Sequence, residues 1–291
     1  MSAAYPLPMY ETTVLGGVKM AYLDSGAVPG APTLLFLHGL GTYALSWRHN
    51  LQSLRTKARC IAVDLPGHGA SGRGSYSYTM RFFAKCVIDL IGKLGLSDVW
   101  LVGHSMGGQI ALTAVLEEPR CATRLVLCAP AGFETFNPIE RATQLASARM
   151  MDVFYDDEAT LRAGIQASFN RFPSDAQNMV SDLIKVLRRQ PKHEHRLAME
   201  RCITGMMDGS VYDKLHAVKQ PALVMFGEKD KLIPAKVFSQ RGTRDVAKEG
   251  TRRMPAATLH MVPQVGHFVH WEAANEVNGL ISRWLDDKKS S

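Results

Sequence analysis

The sequence predicts an α/β fold with a mostly parallel central sheet flanked by helices and interrupted by a long helical insertion. Three observations lead there. Short apolar runs alternate with longer segments of helical periodicity, the pattern of strands joined by crossover helices. Most of those runs are apolar at nearly every position, as strands covered on both faces require. The alternation stops between about residues 133 and 215, where the spacing is helical and no strand pattern occurs.

In chain order, two runs near Glu11–Leu15 and Val18–Leu23, joined by Gly16-Gly17, predict a hairpin. Strands follow at Thr33–Leu37 (TLLFL), Cys60–Asp64 (CIAVD), Val99–Val102 (VWLV), Leu125–Cys128 (LVLC), Ala222–Phe226 (ALVMF) and Leu259–Val262 (LHMV). Helical periodicity is clear over Met80–Leu94, Gln109–Leu116 and Ala273–Leu285. The 133–215 stretch, broken at Pro138, Pro173 and Pro191, is too long for a crossover helix. The expected organisation is a core domain of residues 1–132 and 216–291 with a helical lid of residues 133–215 inserted in it.

Hydrophobic residues make up 46% of the 291 and charged residues 21%, which suits an ordinary globular chain with a sizeable core. The net charge of +7 is concentrated between Lys229 and Arg253, where eight basic residues face three acidic ones. No aromatic interleaving or nucleic-acid motif accompanies them, so a solvated face is expected and no nucleic-acid partner. Five cysteines form no CxxC pair and no metal-ligand spacing; buried free thiols in a reducing, cytoplasmic setting are expected. The first residues lack the pattern of a secretory signal, and no apolar run approaches the roughly 18 residues of a membrane span.

Four segments carry chemistry. Val102-Gly103-His104-Ser105-Met106-Gly107-Gly108 follows an apolar run and opens a helical one. A serine nucleophile must stand clear of the sheet on a strand-to-helix turn so sharp that its backbone is strained. Glycines at 103 and 107 omit the Cβ atoms that would collide in that turn. The helix start brings positive dipole and free N–H groups beside the serine, where negative charge develops. Leu37-His38-Gly39-Leu40-Gly41 also follows a buried run. Its loop is expected to bring the Leu40 N–H toward a substrate carbonyl oxygen, opposite the Met106 N–H, as an oxyanion hole whose donors contribute about 3 kcal/mol each. His38 is expected to be structural.

The third segment, Phe226 to Pro234, reads FGEKDKLIP and places Glu228 and Asp230 in one turn after a strand. The residues alone leave both acids open, and a lone aspartate ahead of a helix begun by Pro234 also serves as a cap. The fourth is Val265-Gly266-His267-Phe268, after the last strand. His270, between Val269 and Trp271, reads as a packing residue at the start of the final helix; taken alone, either histidine also reads as structural.

From Tyr22 to Leu285 the chain resembles the α/β-hydrolase fold superfamily. The resemblance rests on HGLG at His38–Gly41, DLPGHGASG at Asp64–Gly72, GHSMGG at Gly103–Gly108, GEKDKLIP at Gly227–Pro234 and GHFVHWE at Gly266–Glu272. It implies a triad of Ser105 as nucleophile, His267 as general base and Asp230, rather than Glu228, as the acid that orients it. The chain order Ser, Asp, His is that of α/β-hydrolases. The helical insertion corresponds to the lid that many members place between the sixth and seventh strands. DLPGHGASG has no catalytic part; its glycines shape the loop after Asp64. One departure is the stretch Ser239–Met254, longer and more basic than the usual link between the acid and the last strand.

The implied reaction is two-step acyl transfer on a small to medium carboxylic ester, with no metal or organic cofactor. Epoxide hydrolases and haloalkane dehalogenases carry an aspartate where Ser105 stands. Metal-free haloperoxidases or perhydrolases share the triad and stay open as a side activity. The alternatives are carbon–carbon hydrolases of ring-cleavage products, which more often carry asparagine in place of His104, and small-ligand receptors that keep the triad. Carbon–carbon cleavage needs a cation for the substrate's carboxylate; Arg171, Arg188, Arg189, Arg196 and Arg201 are the candidates in the insertion. The insertion is rich in Met and Leu (Met150, Met151, Leu161, Met179, Leu183, Leu187, Met199, Met206, Met207), and the expectation is an apolar pocket of modest size that favours esters.

Overall fold

The computed structural model describes residues 7–155, 157–188, 191–234 and 241–289. Among them, eight strands form one sheet in the order β1-β2-β4-β3-β5-β6-β7-β8. The N-terminal hairpin consists of β1 (Met9–Val14) and β2 (Val18–Asp24). The sheet continues through β3 (Thr33–Leu37), β4 (Arg59–Val63), β5 (Val99–His104), β6 (Arg124–Cys128), β7 (Ala222–Gly227) and β8 (Ala257–Val262). The pairs β1–β2 and β2–β4 are antiparallel and all the others parallel.

Every residue of β3, β5 and β7 is buried. Successive side chains point to opposite faces, so an unbroken apolar run feeds two cores. Leu34 and Phe36 join one core, Leu35 and Leu37 the other. The helices are α1 (Arg48–Leu54), α2 (Met80–Lys93), α3 (Met106–Glu117), α4 (Pro138–Tyr155), α5 (Glu158–Ala167), α6 (Ala176–Arg188), α7 (Lys192–Asp208), α8 (Thr243–Arg252), α9 (Val269–Glu272) and α10 (Ala274–Lys289). The first core holds Leu51 and Leu54 of α1 with Val277, Ile281 and Leu285 of α10. The second holds buried residues of α2, α3 and α8.

Two elements have no counterpart in the sequence reading. Helix α1 is short and polar, RHNLQSL. Helix α8 runs through the basic departure between the acid and the last strand, and its buried side carries only Thr243, Val246, Ala247, Gly250 and Thr251. Much of the charge there is paired: Arg244 with Glu228, and Arg252 and Arg253 with Glu249. The helix expected from Pro234, and Lys236 with it, falls on residues 235–240, outside the described residues. All five cysteines are buried and unpaired by disulfides. No helix of the described residues is long and apolar enough to cross a membrane.

Helices α4 to α7 lie between β6 and β7 in the chain. Met179, Val180 and Ile184 of α6 pack with Phe169, Phe268 and Trp271, joining the insertion to the region around α9. The other end is held by a polar tie. The last carbonyls of a helix lack partners within it, and the buried Gln109 side chain of α3 supplies them: its Nε2 donates to Met206 O at 2.8 Å and Gly209 O at 3.0 Å. Gln109→Met keeps the volume but leaves both carbonyls unmatched. We expect a loss of about 1–3 kcal/mol, read as a lower urea midpoint; an unchanged midpoint would show that the tie contributes nothing.

Candidate active site

The site is built at the carboxyl ends of the parallel strands, beginning with Ser105. This residue joins β5 directly to α3 with φ 52° and ψ −117°. Such a backbone costs a residue with a side chain about 1–3 kcal/mol, and neighbouring strands hold it there. Ser105 N–H donates to Cys128 O at 3.0 Å, and Ser105 O accepts from Ala131 N–H at 3.0 Å and Gly108 N–H at 2.9 Å. The flanking glycines permit the turn. A Cβ on Gly107 would lie 2.2 Å from Leu37 O, and one on Gly103 would lie 2.5 Å from Gly107 O. The start of α3 therefore rests on the end of β3, and the His38–Gly41 loop comes beside the serine. Ser105 is partly exposed, between the buried His104 and Met106. Among the described residues, no hydrogen bond takes up the N–H of Leu40 or of Met106.

The turn after β7 carries both acids, and the structure separates them. Glu228 pairs with Arg244 of α8. Asp230 is fully buried, and its Oδ2 accepts from His267 Nδ1 at 2.8 Å. Its Oδ1 accepts from the N–H groups of Leu232 at 2.8 Å and Ile233 at 3.1 Å. One oxygen caps the turn and the other meets the imidazole. A carboxylate only accepts, so the His267 proton on Nδ1 is fixed and Nε2 is left as the acceptor.

The remaining histidines of the region are engaged elsewhere. His38 lies buried: its Nδ1 donates to Gly39 O at 2.8 Å, while its Nε2 accepts from Leu65 N–H at 3.0 Å. His104 Nε2 donates to His267 O at 3.1 Å, and the two rings are 4.8 Å apart. His270 is buried with its ring 4.1 Å from Trp47 and 4.3 Å from His104; burial and the nearby His267 push its pKa down to about 3. In the DLPGHGASG segment, Asp64 accepts from Ala44 N–H at 2.7 Å and Ala70 N–H at 2.8 Å, which fixes the loop; burial pushes its pKa up to about 6.

Sequence reasoning assigned no role to Glu134 or Glu272. Glu134 follows β6, close enough to Asp230 to feel its charge. Burial, then Asp230 and Glu140, push its pKa up to about 8. Nothing in the local string AGFETF marks it. Glu272 was only the last letter of GHFVHWE, yet its carboxylate accepts three backbone N–H groups, from Gly266, Asn170 and Arg171.

Of the methionines and leucines expected to line a pocket, Met199 of α7 stands beside Gly41, where an added Cβ would lie 3.3 Å from its methyl group. Met179 and Leu183 are buried, and Met150 and Met151 lie outside the residues whose side chains are described. Among the arginines, Arg188 pairs with Glu158 at 3.0 Å and Arg201 donates to Tyr76 O at 2.7 Å. Arg171 and Arg196 are exposed, and Arg189 lies outside the described residues.

The sequence profile of the alpha/beta hydrolase family matches residues 34–280. The uncharacterized hydrolase YugF of Bacillus subtilis (strain 168) is 28% identical over 289 residues, which cover 98% of this chain and 100% of that protein. A 2-hydroxy-6-oxononadienedioate/2-hydroxy-6-oxononatrienedioate hydrolase of Paraburkholderia phymatum is 28% identical over 291 residues, covering 95% of this chain and 94% of that one. A solved structure of a probable hydrolytic enzyme from Pseudomonas aeruginosa PAO1 superposes with a TM-score of 0.77 at 27% identity, covering 96% of this chain and 94% of the other.

The buried histidines make the fold acid-sensitive. Burial pushes His68 and His195 down to about 4 and His270 to about 3, and holds His38 and His104 well below 6.5. The unfolded chain protonates all five near 6.5, so the stability they contribute is complete above that pH and is lost as pH falls toward 4. Asp64 and Glu134 act in the opposite sense, because the native state holds their protons more tightly. Five histidines outweigh two carboxyls. The urea midpoint should therefore fall steeply from pH 6.5 to pH 4, and a flat or rising midpoint over that range would contradict the burial of these imidazoles.

Proposed function

This chain belongs to the alpha/beta hydrolase family, and from that premise we propose that it is a serine hydrolase of small to medium carboxylic esters. Ser105 is the nucleophile, His267 the general base and Asp230 the acid that orients it. The observation that carries this reading is the 2.8 Å contact of His267 Nδ1 with a fully buried Asp230, at the same sheet edge as the strained Ser105 turn.

His267 Nε2 takes the Ser105 proton as Oγ attacks the ester carbonyl, and Asp230 stabilises the resulting imidazolium. The Leu40 and Met106 amides receive the oxyanion. His267 then gives its proton to the departing alcohol, and water, activated by the same imidazole, releases the acid from Ser105. Residues 133–215 act as a lid on the core of residues 1–132 and 216–291, and the placement of Met199 beside Gly41 supports an apolar boundary beside the oxyanion loop. The partner is a small molecule, and five buried thiols suit a reducing, cytoplasmic setting.

A second reading, hydrolysis of a carbon–carbon bond in a ring-cleavage product, is favoured by the relative named for that activity. It requires a cation for the substrate's carboxylate. Arg188 and Arg201 are held by Glu158 and by the Tyr76 carbonyl, so the ester reading asks for fewer groups.

Ser105→Ala should abolish both ester turnover and covalent labelling by a fluorophosphonate; stoichiometric labelling of the alanine variant would remove Ser105 from the mechanism. His267→Ala should cost as much as loss of the serine, since the two act as a unit. Asp230→Asn should lower kcat by about 10⁴-fold while Glu228→Gln and His270→Ala remain mild; equal effects of the two acid variants would leave the acid unassigned. On a panel of p-nitrophenyl esters beside a dienone acid, the best ester should have the higher kcat/KM. A dienone acid favoured by more than about tenfold, roughly 1.4 kcal/mol in transition-state binding, would transfer the assignment to carbon–carbon hydrolysis.

A further inference from the structure

The loop that carries His267 is bound to the helical insertion by hydrogen bonds and by a ring stack. His267 N–H donates to Ser168 O at 2.9 Å, and Asn170 Nδ2 donates to Gln264 O at 2.8 Å. Phe169 and Phe268 stack with ring centroids 4.6 Å apart and planes within 3°. Gly266 lies so close to the insertion that a Cβ would sit 2.5 Å from Asn170 N. At the centre is Glu272, the last residue of α9. Its Oε2 accepts from Gly266 N–H and Asn170 N–H, both at 3.0 Å, and its Oε1 accepts from Arg171 N–H at 2.8 Å.

These contacts form one clamp. Residues 168–171 connect α5 to α6, so they belong to the insertion, whereas Gly266 is the residue immediately before His267. A single carboxylate satisfies donors from both segments, and the neighbouring Ser168 carbonyl takes the His267 amide. Hydrogen bonds to an ionised acceptor are about twice as strong as neutral ones, so these three hold the two segments together more firmly than neutral contacts would. We propose that Glu272 is a positioning residue for His267, binding the 168–171 segment of the insertion to the base's own loop so that insertion and imidazole are placed together. The proposal rests on the serine-hydrolase reading for its effect on turnover, but its structural content is the alignment of His267 on Asp230.

Glu272→Gln keeps the shape of the side chain but has a single carbonyl oxygen and no charge: it serves either the Gly266 and Asn170 N–H groups or the Arg171 N–H, and its NH2 faces the donors left over. The first readout is the low-field proton resonance of His267 Nδ1–H in its bond to Asp230, which needs no substrate. It should be present in the wild-type protein and broadened or lost in Glu272→Gln. The second is ester hydrolysis. The variant's kcat should fall by about tenfold or more, within the hundredfold that an ångström of misplacement costs, with a smaller change in KM. Glu276→Gln breaks the exposed pair with His260 and should alter neither readout. Asn170→Ala, which removes only the side-chain tie to Gln264, should move both in the same direction by a few-fold, and it carries the test if the glutamine variant does not fold. Wild-type kcat and an unchanged His267 resonance in the folded variants would overturn the proposal. Failure of the wild type itself to hydrolyse esters or to label at Ser105 would sink the serine-hydrolase reading instead, leaving the resonance to decide the role of Glu272.

Discussion

The carboxyl edge of the sheet is organised by the conversion of β5 into α3 within the single residue Ser105. Its left-handed backbone is unfavourable by about 1–3 kcal/mol, and it persists because Cys128 O and Ala131 N–H, both from the chain at and just after β6, hold its two peptide groups. The turn closes only if the first turn of α3 lies on the end of β3, where Gly107 meets the Leu37 carbonyl. That contact has three consequences. The serine side chain is left partly exposed, the Met106 amide sits at a bare helix start, and the His38–Gly39 segment comes beside the serine.

Burial sorts the polar groups around this turn. Asp230 is fully buried, yet its two oxygens meet three donors, so the cost of desolvating it is offset by a filled set of hydrogen bonds. The imidazoles of His38, His104 and His270 are held neutral by the same burial, and His38 and His104 direct ring nitrogens at backbone groups. His267 differs from these in facing a carboxylate. The rings of His104 and His270 pack around that place, His104 4.8 Å from His267 and 4.3 Å from His270.

The legible part of the protein is the part written in local periodicity. Strands β3, β5 and β7 could be read to within a residue or two because every side chain in them is apolar, the signature of burial on both faces. The expected strand near Leu259 begins earlier, at Ala257, because β8 is an edge strand with mixed exposure and a blurred pattern. Helix α8 escaped notice since its buried side consists of Val246, Ala247 and small residues, too little apolar mass to stand out among its arginines. Gly103 and Gly107 announced a sharp turn, and the atoms they avoid are those of the expected strand and helix ends.

By itself, then, the sequence determined the order and type of the main elements, the places where strands end, and the short list of residues at those ends. Tertiary structure decided which members of that list meet. Glu228 and Asp230 stand two residues apart in one turn, and only the placement of Arg244 on α8 and of His267 beyond β8 draws one outward and the other inward. Glu272 and Asn170 are separated by 102 positions, and no periodicity links them. Periodicity follows from backbone geometry, which repeats every few residues, so it is visible in any short window of sequence. The choice of a polar partner depends on where distant segments come to rest against a shared core, and that is settled only when the whole chain has packed.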